Sequence, residues 1–323
     1  MYSQLVADRS NQERNGIGIM GGKEIMIHDS ALGPHQEILT ARATDKKILG
    51  KAQDGGIVTA LLVYALEKNI IDGTIVAGDG KEAWKPEPIV ATTKKEILKS
   101  SGTKYTMCPN LAMVKEATRR YGLEKMGIVG TPCQIMGVRK MQAYPMGLRH
   151  VTDKIALIAG IYCMENFPYD SLKAFIQDKA NTTPEKVVKM DISKGKLFIR
   201  TSDDETAIPI KQTHGYEQSG CRYCMDYVAE LSDVSCGSVG AKPGWSTVIK
   251  RTDVGCSLVD SAVEDGVLEV TETNTGKFGL EMLRKLATNK KKQRVKNVDK
   301  ALDLGLEVPF TRSDLKEDIL ENR

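Results

Sequence analysis

The chain has 323 residues, of which 41% are hydrophobic and 27% are charged, so its composition is that of a folded, water-soluble protein and not of a disordered or collagen-like one. Its formal net charge is only +4, which is too small to indicate a nucleic acid or an anionic membrane as partner. Because a single core stops growing at about 250 to 300 residues, we expect two lobes.

The apolar segments and the cysteines bear on where the protein works. The longest apolar runs, residues 57–66 and 155–164, have about half of the ~20 residues that a membrane-spanning helix needs. The first 15 residues carry charged and polar side chains where a signal peptide has its apolar core. We therefore expect a cytoplasmic protein, in which seven cysteines, an odd number, are more typical of metal or redox chemistry than of disulfides.

The first half of the chain alternates between predicted strands and helices. Residues 1–36 are rich in glycine and polar side chains and are interpreted as an extension, with an alternating stretch at 24–28 that is typical of an edge strand. The elements predicted after it are strand 38–43, helix 57–67, strand 74–77, helix 110–121, strand 126–129, helix 133–141 and strand 154–161. Such alternation favours a sheet layered with helices.

The second half has more antiparallel character. The elements predicted there are helix 171–179, a hairpin of strands 187–192 and 197–200, strand 246–250, helix 257–264 and helix 281–300. In the last helix, the run Lys290-Lys291-Lys292 is interpreted as a solvated face, since blocks of charge usually lie at the surface. The sequence therefore predicts an α/β to α+β fold, with a mixed sheet layered with helices and two lobes around a crevice.

Cys221 and Cys224 form a Cys-x-x-Cys motif, which lets two thiolates meet at one centre. Half of a zinc site, a thioredoxin-like dithiol and half of an iron–sulfur site all remain open. A zinc ribbon favours a second such motif about 15–20 residues away, and the sequence has none. A thioredoxin motif would follow the first strand of a compact unit, and this one lies deep in the second half of the chain.

Two further cysteines, Cys133 and Cys163, each follow a predicted buried strand. Strand ends of an α/β sheet are where ligand-binding groups are normally presented, so both thiols could share a crevice with the Cys-x-x-Cys pair. Four thiolates complete the ligand set of a 4Fe–4S cluster. Each cysteine taken alone is more often a small buried hydrophobic residue, but the combination favours the cluster. The remaining Cys108, Cys236 and Cys256 are interpreted as structural.

Three loops contain glycines, at residues 52–56, 101–105 and 237–240. The first precedes a helix, so its backbone amides can receive a phosphate or a ring oxygen. None matches the dinucleotide fingerprint or the phosphate-binding loop of ATPases, and each taken alone is equally typical of a turn. In the second loop, Lys104 and Tyr105 are a suitable pair for a pyrophosphate and an aromatic ring, although a lysine beside a turn is also ordinary.

Taken together, these motifs resemble the beta subunit family of the coenzyme F420-reducing hydrogenase of methanogenic archaea. The resemblance extends from about residue 37 to residue 310. The motifs that carry it lie at residues 51–59, 102–105, 132–134, 161–166, 214–218 and 220–227.

The resemblance implies an oxidoreductase with FAD, one 4Fe–4S cluster and a site for coenzyme F420. The cluster ligands that it implies are Cys133, Cys163, Cys221 and Cys224. The implied flavin contacts are Gln53, Gly55, Gly56, Gly102, Thr103, Lys104, Tyr105, Thr131 and Gln134. Candidates for a basic entrance to the anionic coenzyme are Arg139, Lys140 and Arg149, whereas His214 is interpreted as a hydrogen-bonded structural residue. We name no catalytic side chain, because the implied hydride transfer belongs to the flavin.

The resemblance also implies an organisation and a set of partners. It divides the chain into an N-terminal lobe at residues 37–125 and a C-terminal FAD and iron–sulfur lobe at 126–310, with additions at 1–36 and 311–323. Its partners would be a nickel–iron large subunit and an iron–sulfur small subunit, in a higher-order assembly of heterotrimers. A formate dehydrogenase beta subunit is the alternative within the family. A zinc-stabilised scaffold without flavin is the alternative outside it.

Overall fold

Eleven strands lie within residues 26–144 and 148–308, the part of the chain that the computed structural model describes. The strands are β1 (Glu37–Ala43), β2 (Gly73–Asp79), β3 (Pro86–Ala91), β4 (Met126–Gly130), β5 (Ile155–Ile161), β6 (Lys189–Ser193), β7 (Lys196–Arg200), β8 (Glu205–Pro209), β9 (Val234–Gly237), β10 (Ser246–Lys250) and β11 (Leu268–Thr271). Residues 24 and 25 of the predicted edge strand and the tail at 311–323 lie outside the described residues.

Eight of these strands form one mixed sheet in the order β11-β1-β10-β9-β5-β4-β2-β3. Its four central members, β9, β5, β4 and β2, run parallel to one another. The strands on both flanks pair antiparallel with their neighbours. Consequently the carboxyl ends of the four parallel strands meet at one edge of the sheet, which is where α/β proteins commonly bind ligands.

Helices cover both faces of this sheet. They are α1 (Lys46–Leu49), α2 (Ile57–Glu67), α3 (Lys94–Lys99), α4 (Val114–Arg119), α5 (Pro132–Ala143), α6 (Arg149–Thr152), α7 (Tyr169–Ala180), α8 (Asp253–Glu264) and α9 (Leu280–Asp303). In the described part of the chain, four short 3-10 turns lie at Asn110–Met113, Pro184–Lys186, Ile210–Thr213 and Ser219–Arg222.

Alternation along the strands separates the core into two layers. Val76 of β2 and Leu157 of β5 pack in a cluster with α2 and α8. Their neighbours Ile75 and Ile158 belong to a second cluster with α4 and α5. Because successive strand residues point to opposite faces, one set of helices lies on each side of the sheet. The predicted mixed sheet layered with helices is confirmed.

The smaller sheet is an antiparallel meander of β6, β7 and β8. Its apolar side chains, such as Met190 and Ile199, pack with Phe175 of α7 in a separate core. The predicted hairpin is confirmed, and its turn has Lys194 and Gly195 at positive φ. The antiparallel second unit accounts for the α+β character that the sequence indicates.

Several elements differ from the sequence predictions. The predicted helix at 110–121 is a 3-10 turn followed by the shorter α4. Strand β3 was not predicted, because Pro86 and Pro88 argue against a strand; it lies at the end of the sheet, where missing N–H donors are tolerated. Strands β9 and β11 have only four residues each, too few for an alternating pattern. The predicted domain boundary between residues 125 and 126 separates β2 from β4. These two strands pair directly in the large sheet, and the boundary stays a prediction.

No helix within residues 26–144 and 148–308 combines the length and the apolar character that crossing a membrane requires.

Candidate cofactor site at the carboxyl edge of the parallel strands

The predicted site residues lie at the carboxyl edge of the central sheet. Strand β4 leads into Thr131 and Cys133, and β5 leads into Tyr162 and Cys163. The neighbouring β9 leads into the third glycine-containing loop. The structure therefore presents cysteines and loop backbone at the same edge, as predicted from the strand pattern.

The four predicted cluster cysteines are brought together, and we call them the four-thiol region. Cys163, Cys221 and Cys224 are half-buried, and Cys133 is exposed. Burial raises the pKa of the Cys224 thiol to about 11, Lys290 opposes this rise, and Asp226, Cys133 and Cys221 add to it. Burial also raises the pKa of Cys163, again with contributions from the other three thiols. Such mutual effects require the four sulfur atoms to be neighbours.

The segments that carry these thiols are hydrogen-bonded to one another. The backbone N–H of Cys163 donates to Tyr227 O at 2.9 Å, and that of Gln218 donates to Asn166 O at 2.8 Å. The thiol of Cys221 lies 3.9 Å from the same Asn166 oxygen. These bonds hold the Cys-x-x-Cys loop against the segment that follows β5.

The donor set of the four-thiol region bears on which metal centre it could hold. Four cysteine thiolates are the ligand set of a 4Fe–4S cluster. Four thiolates are also one of the ligand sets of a structural zinc ion. Within the described residues, no group of three His, Cys, Asp or Glu side chains is arranged to hold a metal ion.

Lys290 belongs to this region, and the prediction that it lies on a solvated face is wrong. Its side chain is only 4% exposed, whereas Lys292 is exposed. The sequence did contain a signal, because residue 290 falls on the buried stripe of α9 with Leu283, Ala287 and Val298. A lysine on an apolar helix stripe indicates a buried partner. The sequence analysis instead assigned Lys290 to the surface because it belongs to a run of three lysines.

The three glycine-containing loops also meet, and we call them the three-loop region. Thr103 donates to Gln53 Oε1 at 3.4 Å, which joins the second loop to the first. Ser238 donates to the Asp54 carboxylate, which joins the third loop to the first. Burial raises the pKa of the Asp54 carboxyl, and the bond from Ser238 opposes that rise. Loops that are separate in sequence thus form one surface.

Gly55 and Gly56 give this region its close backbone packing. A Cβ atom at Gly55 would lie 2.6 Å from Ala41 O and 2.8 Å from Ser246 N. Gly56 precedes α2 with φ of +69°, and no side chain caps this helix. The first amides of α2 therefore have no side-chain acceptor, an arrangement that suits a phosphate.

Lys104 and Tyr105 lie beside these glycines. Lys104 Nζ lies 2.9 Å from Asp79 Oδ1 at the end of β2, so its charge is paired. Tyr105 is half-buried, and its hydroxyl points to Met190 O of the smaller sheet at 3.5 Å. Burial raises the pKa of Tyr105, with added effects of Asp191 and Asp54, so the phenol stays protonated. Gly102 has φ of +100°, which favours glycine there.

Thr131 and Gln134 shape the turn that carries Cys133. They form a capping box at the start of α5, in which Thr131 N–H donates to Gln134 Oε1 at 3.0 Å. The Gln134 amide donates to Cys108 O, and Thr131 Oγ1 lies 3.3 Å from Cys133 Sγ. Both side chains are therefore hydrogen-bonded within the turn that carries Cys133, and their flavin contacts stay a prediction.

The two regions adjoin at Tyr162 and Gly237. A Cβ atom at Gly237 would lie 2.0 Å from the ring of Tyr162, so only glycine leaves room for this ring. Tyr162 immediately precedes Cys163, and Gly237 immediately precedes Ser238 of the third loop. The four-thiol and three-loop regions are thus in contact through β5 and β9.

Other predicted residues have different environments. Arg139 pairs with Asp233 at 2.7 Å and donates to Leu231 O, so it serves the fold and is not available at an entrance. Lys140 is half-buried and Arg149 is exposed. His214 is exposed, with Nδ1 3.9 Å from Glu165 Oε2. The cysteines interpreted as structural, Cys108, Cys236 and Cys256, are all buried.

Comparison with known proteins identifies the family to which this chain belongs. Residues 38–115 match the N-terminal profile of the coenzyme F420 hydrogenase/dehydrogenase beta subunit, and residues 123–276 match the C-terminal profile. The chain belongs to this family. The resemblance inferred from its motifs is therefore confirmed.

Individual members of the family match along most of their length. The coenzyme F420 hydrogenase subunit beta of Methanothermobacter thermautotrophicus is 55% identical over 279 residues, which cover 86% of this chain and 99% of that protein. The subunit of the same name from Methanosarcina barkeri is 50% identical over 282 residues, or 87% and 97% of the two chains. A solved chain of the F420-reducing NiFe hydrogenase complex from Methanosarcina barkeri has a TM-score of 0.86 at 48% identity, and the match covers 88% of this chain and 100% of that one.

Proposed function

We propose that this chain is the beta subunit of an F420-reducing NiFe hydrogenase, an oxidoreductase. It takes electrons through one 4Fe–4S cluster to FAD and transfers a hydride from reduced FAD to coenzyme F420. The identity of 55% to a hydrogenase subunit beta over 99% of that protein supports this assignment. Its partners are a nickel–iron large subunit and an iron–sulfur small subunit, assembled as heterotrimers into a larger complex.

One structural observation carries the proposal. The four-thiol region and the three-loop region lie side by side at the carboxyl edge of the parallel strands, in contact at Tyr162 and Gly237. Electron transfer from an iron–sulfur centre to a flavin requires the two sites to be neighbours. Neither region alone would distinguish a redox enzyme from a metal-stabilised scaffold.

The residues have separate duties in this proposal. Cys133, Cys163, Cys221 and Cys224 hold the cluster. The bound flavin supplies the conversion between single electrons and a hydride, which the protein's own side chains cannot perform. Gln53 and Thr103 orient the ring where their loops meet, and the amides that begin α2 receive a phosphate.

The surrounding contacts fix the placement of these groups. Lys104, held by Asp79, keeps a positive charge beside the loops, and Tyr105 provides a protonated, half-buried ring. Thr131 and Gln134 hold the turn of Cys133. Placement of this kind is the protein's main contribution when a cofactor supplies the chemistry.

We further propose that the lobes divide these duties along the chain. Residues 37–125 carry two of the three glycine-containing loops, and residues 126–310 carry all four cluster cysteines and the third loop. Contacts across this division, such as Ser238 with Asp54, close the site.

Cofactor analysis of the anaerobically purified full-length chain tests the proposal. We expect four irons and one FAD per chain and no zinc. A colourless chain with one zinc and no flavin would overturn the redox assignment and leave the scaffold alternative. Copurification with a molybdopterin subunit instead of nickel–iron subunits would assign the chain to formate dehydrogenase.

A further inference from the structure

We propose that Lys290 is a positioning residue for the iron–sulfur cluster, which joins the ligand-bearing segments and raises the reduction potential of the cluster. The inference rests on the proposed function, because it requires a cluster at the four cysteines. It adds to that function a residue that is neither a cysteine nor part of a cofactor loop. Residues 277–323 lie beyond the part of the chain that matches the family profiles, and Lys290 is among them.

The ammonium group of Lys290 contacts two separate segments. Its Nζ donates to Cys163 O at 2.6 Å and to Asp226 O at 2.8 Å, and it lies 3.9 Å from Cys224 Sγ. Cys163 follows β5, whereas Cys224 and Asp226 belong to the Cys-x-x-Cys loop. A single cation therefore fixes the distance between ligands that are about 60 residues apart in sequence.

Helix α9 holds this lysine in place. Leu283 and Val298 on the same helix stripe are fully buried. One turn beyond Lys290, Arg294 Nη2 lies 3.8 Å from Glu165 Oε2. Further along, Asn297 donates to Arg222 O at 2.9 Å. The helix thus contacts both cysteine-bearing segments at successive turns, which places Lys290 between them.

The charge of Lys290 has a direct electrostatic consequence. Two of its partners are backbone carbonyl oxygens, which carry no formal charge, and the nearby Asp226 carboxylate offsets the charge of Lys290 only in part. The Asp226 carboxylate accepts the backbone N–H groups of Val228 and Glu230. Reduction adds one electron, delivered by a partner subunit, to a cluster that four thiolates already make negative. A cation beside Cys224 stabilises the reduced form more than the oxidised form, because net charge and hydrogen bonds near the sulfurs set the potential.

A redox titration of the full-length chain, followed by electron paramagnetic resonance, tests this inference. The variant Lys290→Met keeps most of the side-chain volume and removes the charge. We expect it to shift the reduction equilibrium toward the oxidised cluster at least tenfold, which corresponds to about 59 mV for one electron. Lys290→Arg restores the charge and is expected to recover at least half of the shift. Lys292→Met, at an exposed position of the same helix, is expected to leave the potential unchanged.

Iron content, measured on every sample, separates the possible outcomes. A Lys290→Met chain with four irons and the wild-type potential would overturn the inference. If Lys290→Met loses iron, iron retained in Lys290→Arg but not in Lys290→Gln supports a role of the charge, and any other pattern contradicts it. A wild-type chain without iron would instead refute the proposed function itself, and the inference with it.

Discussion

The four-thiol region and the three-loop region share one sheet edge but are built differently. In the first, side chains from three separate segments converge, and a buried lysine from a fourth joins them. In the second, the site is formed mainly by backbone, since Gly55 and Gly56 allow loops and strands to approach closely. Residue type therefore identifies the first kind of site from sequence, whereas the second kind depends on loop positions that only the fold determines.

If the two regions are distinct, a change in one should remove its own cofactor and spare the other. The largest effect is expected for Cys221→Ser, which removes a cluster ligand. Iron per chain should fall well below four. Hydrogen-dependent F420 reduction by the complex should fall by more than 100-fold, because substitution of residues that only support metal ligands already costs about 10- to 100-fold. FAD content should stay at one per chain. Iron and flavin analysis and an F420 assay measure these quantities.

The matched control for that variant is Cys256→Ser, at a buried cysteine whose thiol lies 2.8 Å from Gln36 Oε1 and which is not among the predicted cluster ligands. It should keep iron and activity. Equal loss of FAD in Cys221→Ser would show that the two regions form one inseparable unit.

The reverse effect is expected from Gly55→Ala. Its Cβ atom would lie within 3 Å of Ala41 O and Ser246 N, so the loop must shift. We expect FAD content to fall while iron stays at four, with a loss of about 1–3 kcal/mol in the free energy of unfolding. Gly276→Ala is the control, since its nearest atom would be 3.4 Å away. Retention of full FAD by Gly55→Ala would contradict the assignment of this loop.

A smaller effect, on stability alone, is expected from Arg139→Met. The Asp233 carboxylate that it leaves behind is nearly buried, although Ile158 N and Thr252 Oγ1 still donate to it. We expect the free energy of unfolding, measured with denaturant, to fall by about 2 kcal/mol. Iron and FAD should be unaffected. Loss of F420 binding at unchanged stability would instead support the prediction that Arg139 contributes to a basic entrance for the coenzyme.

The smallest effect is a pH dependence in the three-loop region. Burial raises the pKa of Asp54 above its ordinary value of 3.8, so folding favours the protonated form. This contribution to stability is present at acidic pH and disappears as pH rises through the raised pKa. Asp54→Asn resembles the protonated form, so its melting temperature relative to wild type should rise as pH increases from about 4 through the raised pKa. A constant difference across this range would contradict the pKa shift.

The sequence predicted some parts of this molecule and not others for physical reasons. Helix α2 was predicted from 57 to 67, as observed, because apolar residues at helical spacing follow a glycine turn. Cys221 and Cys224 were singled out by their Cys-x-x-Cys spacing, and Cys133 and Cys163 by their positions after predicted strands; their role as cluster ligands stays a prediction. The short β9 escaped prediction, although it brings the third loop to the site.

Side-chain pairing was the least predictable feature. Lys104 pairs with Asp79, and Gln134 bonds Cys108 O, although their residue types suit a cofactor equally well. Lys290 was assigned to solvent because neighbouring charges outweighed its place on the apolar stripe of α9. Partners distant in sequence decided each case.

Hydrogen-dependent reduction of coenzyme F420 tests the central claim most directly. The measurement uses the complex purified through this chain, with the wild-type chain and with Cys221→Ser. We predict that the wild-type complex reduces the coenzyme and that the variant, although it retains FAD, does not. A wild-type complex with four irons and one FAD in this chain that leaves the coenzyme oxidised would contradict the claim, as would an equal rate in Cys221→Ser.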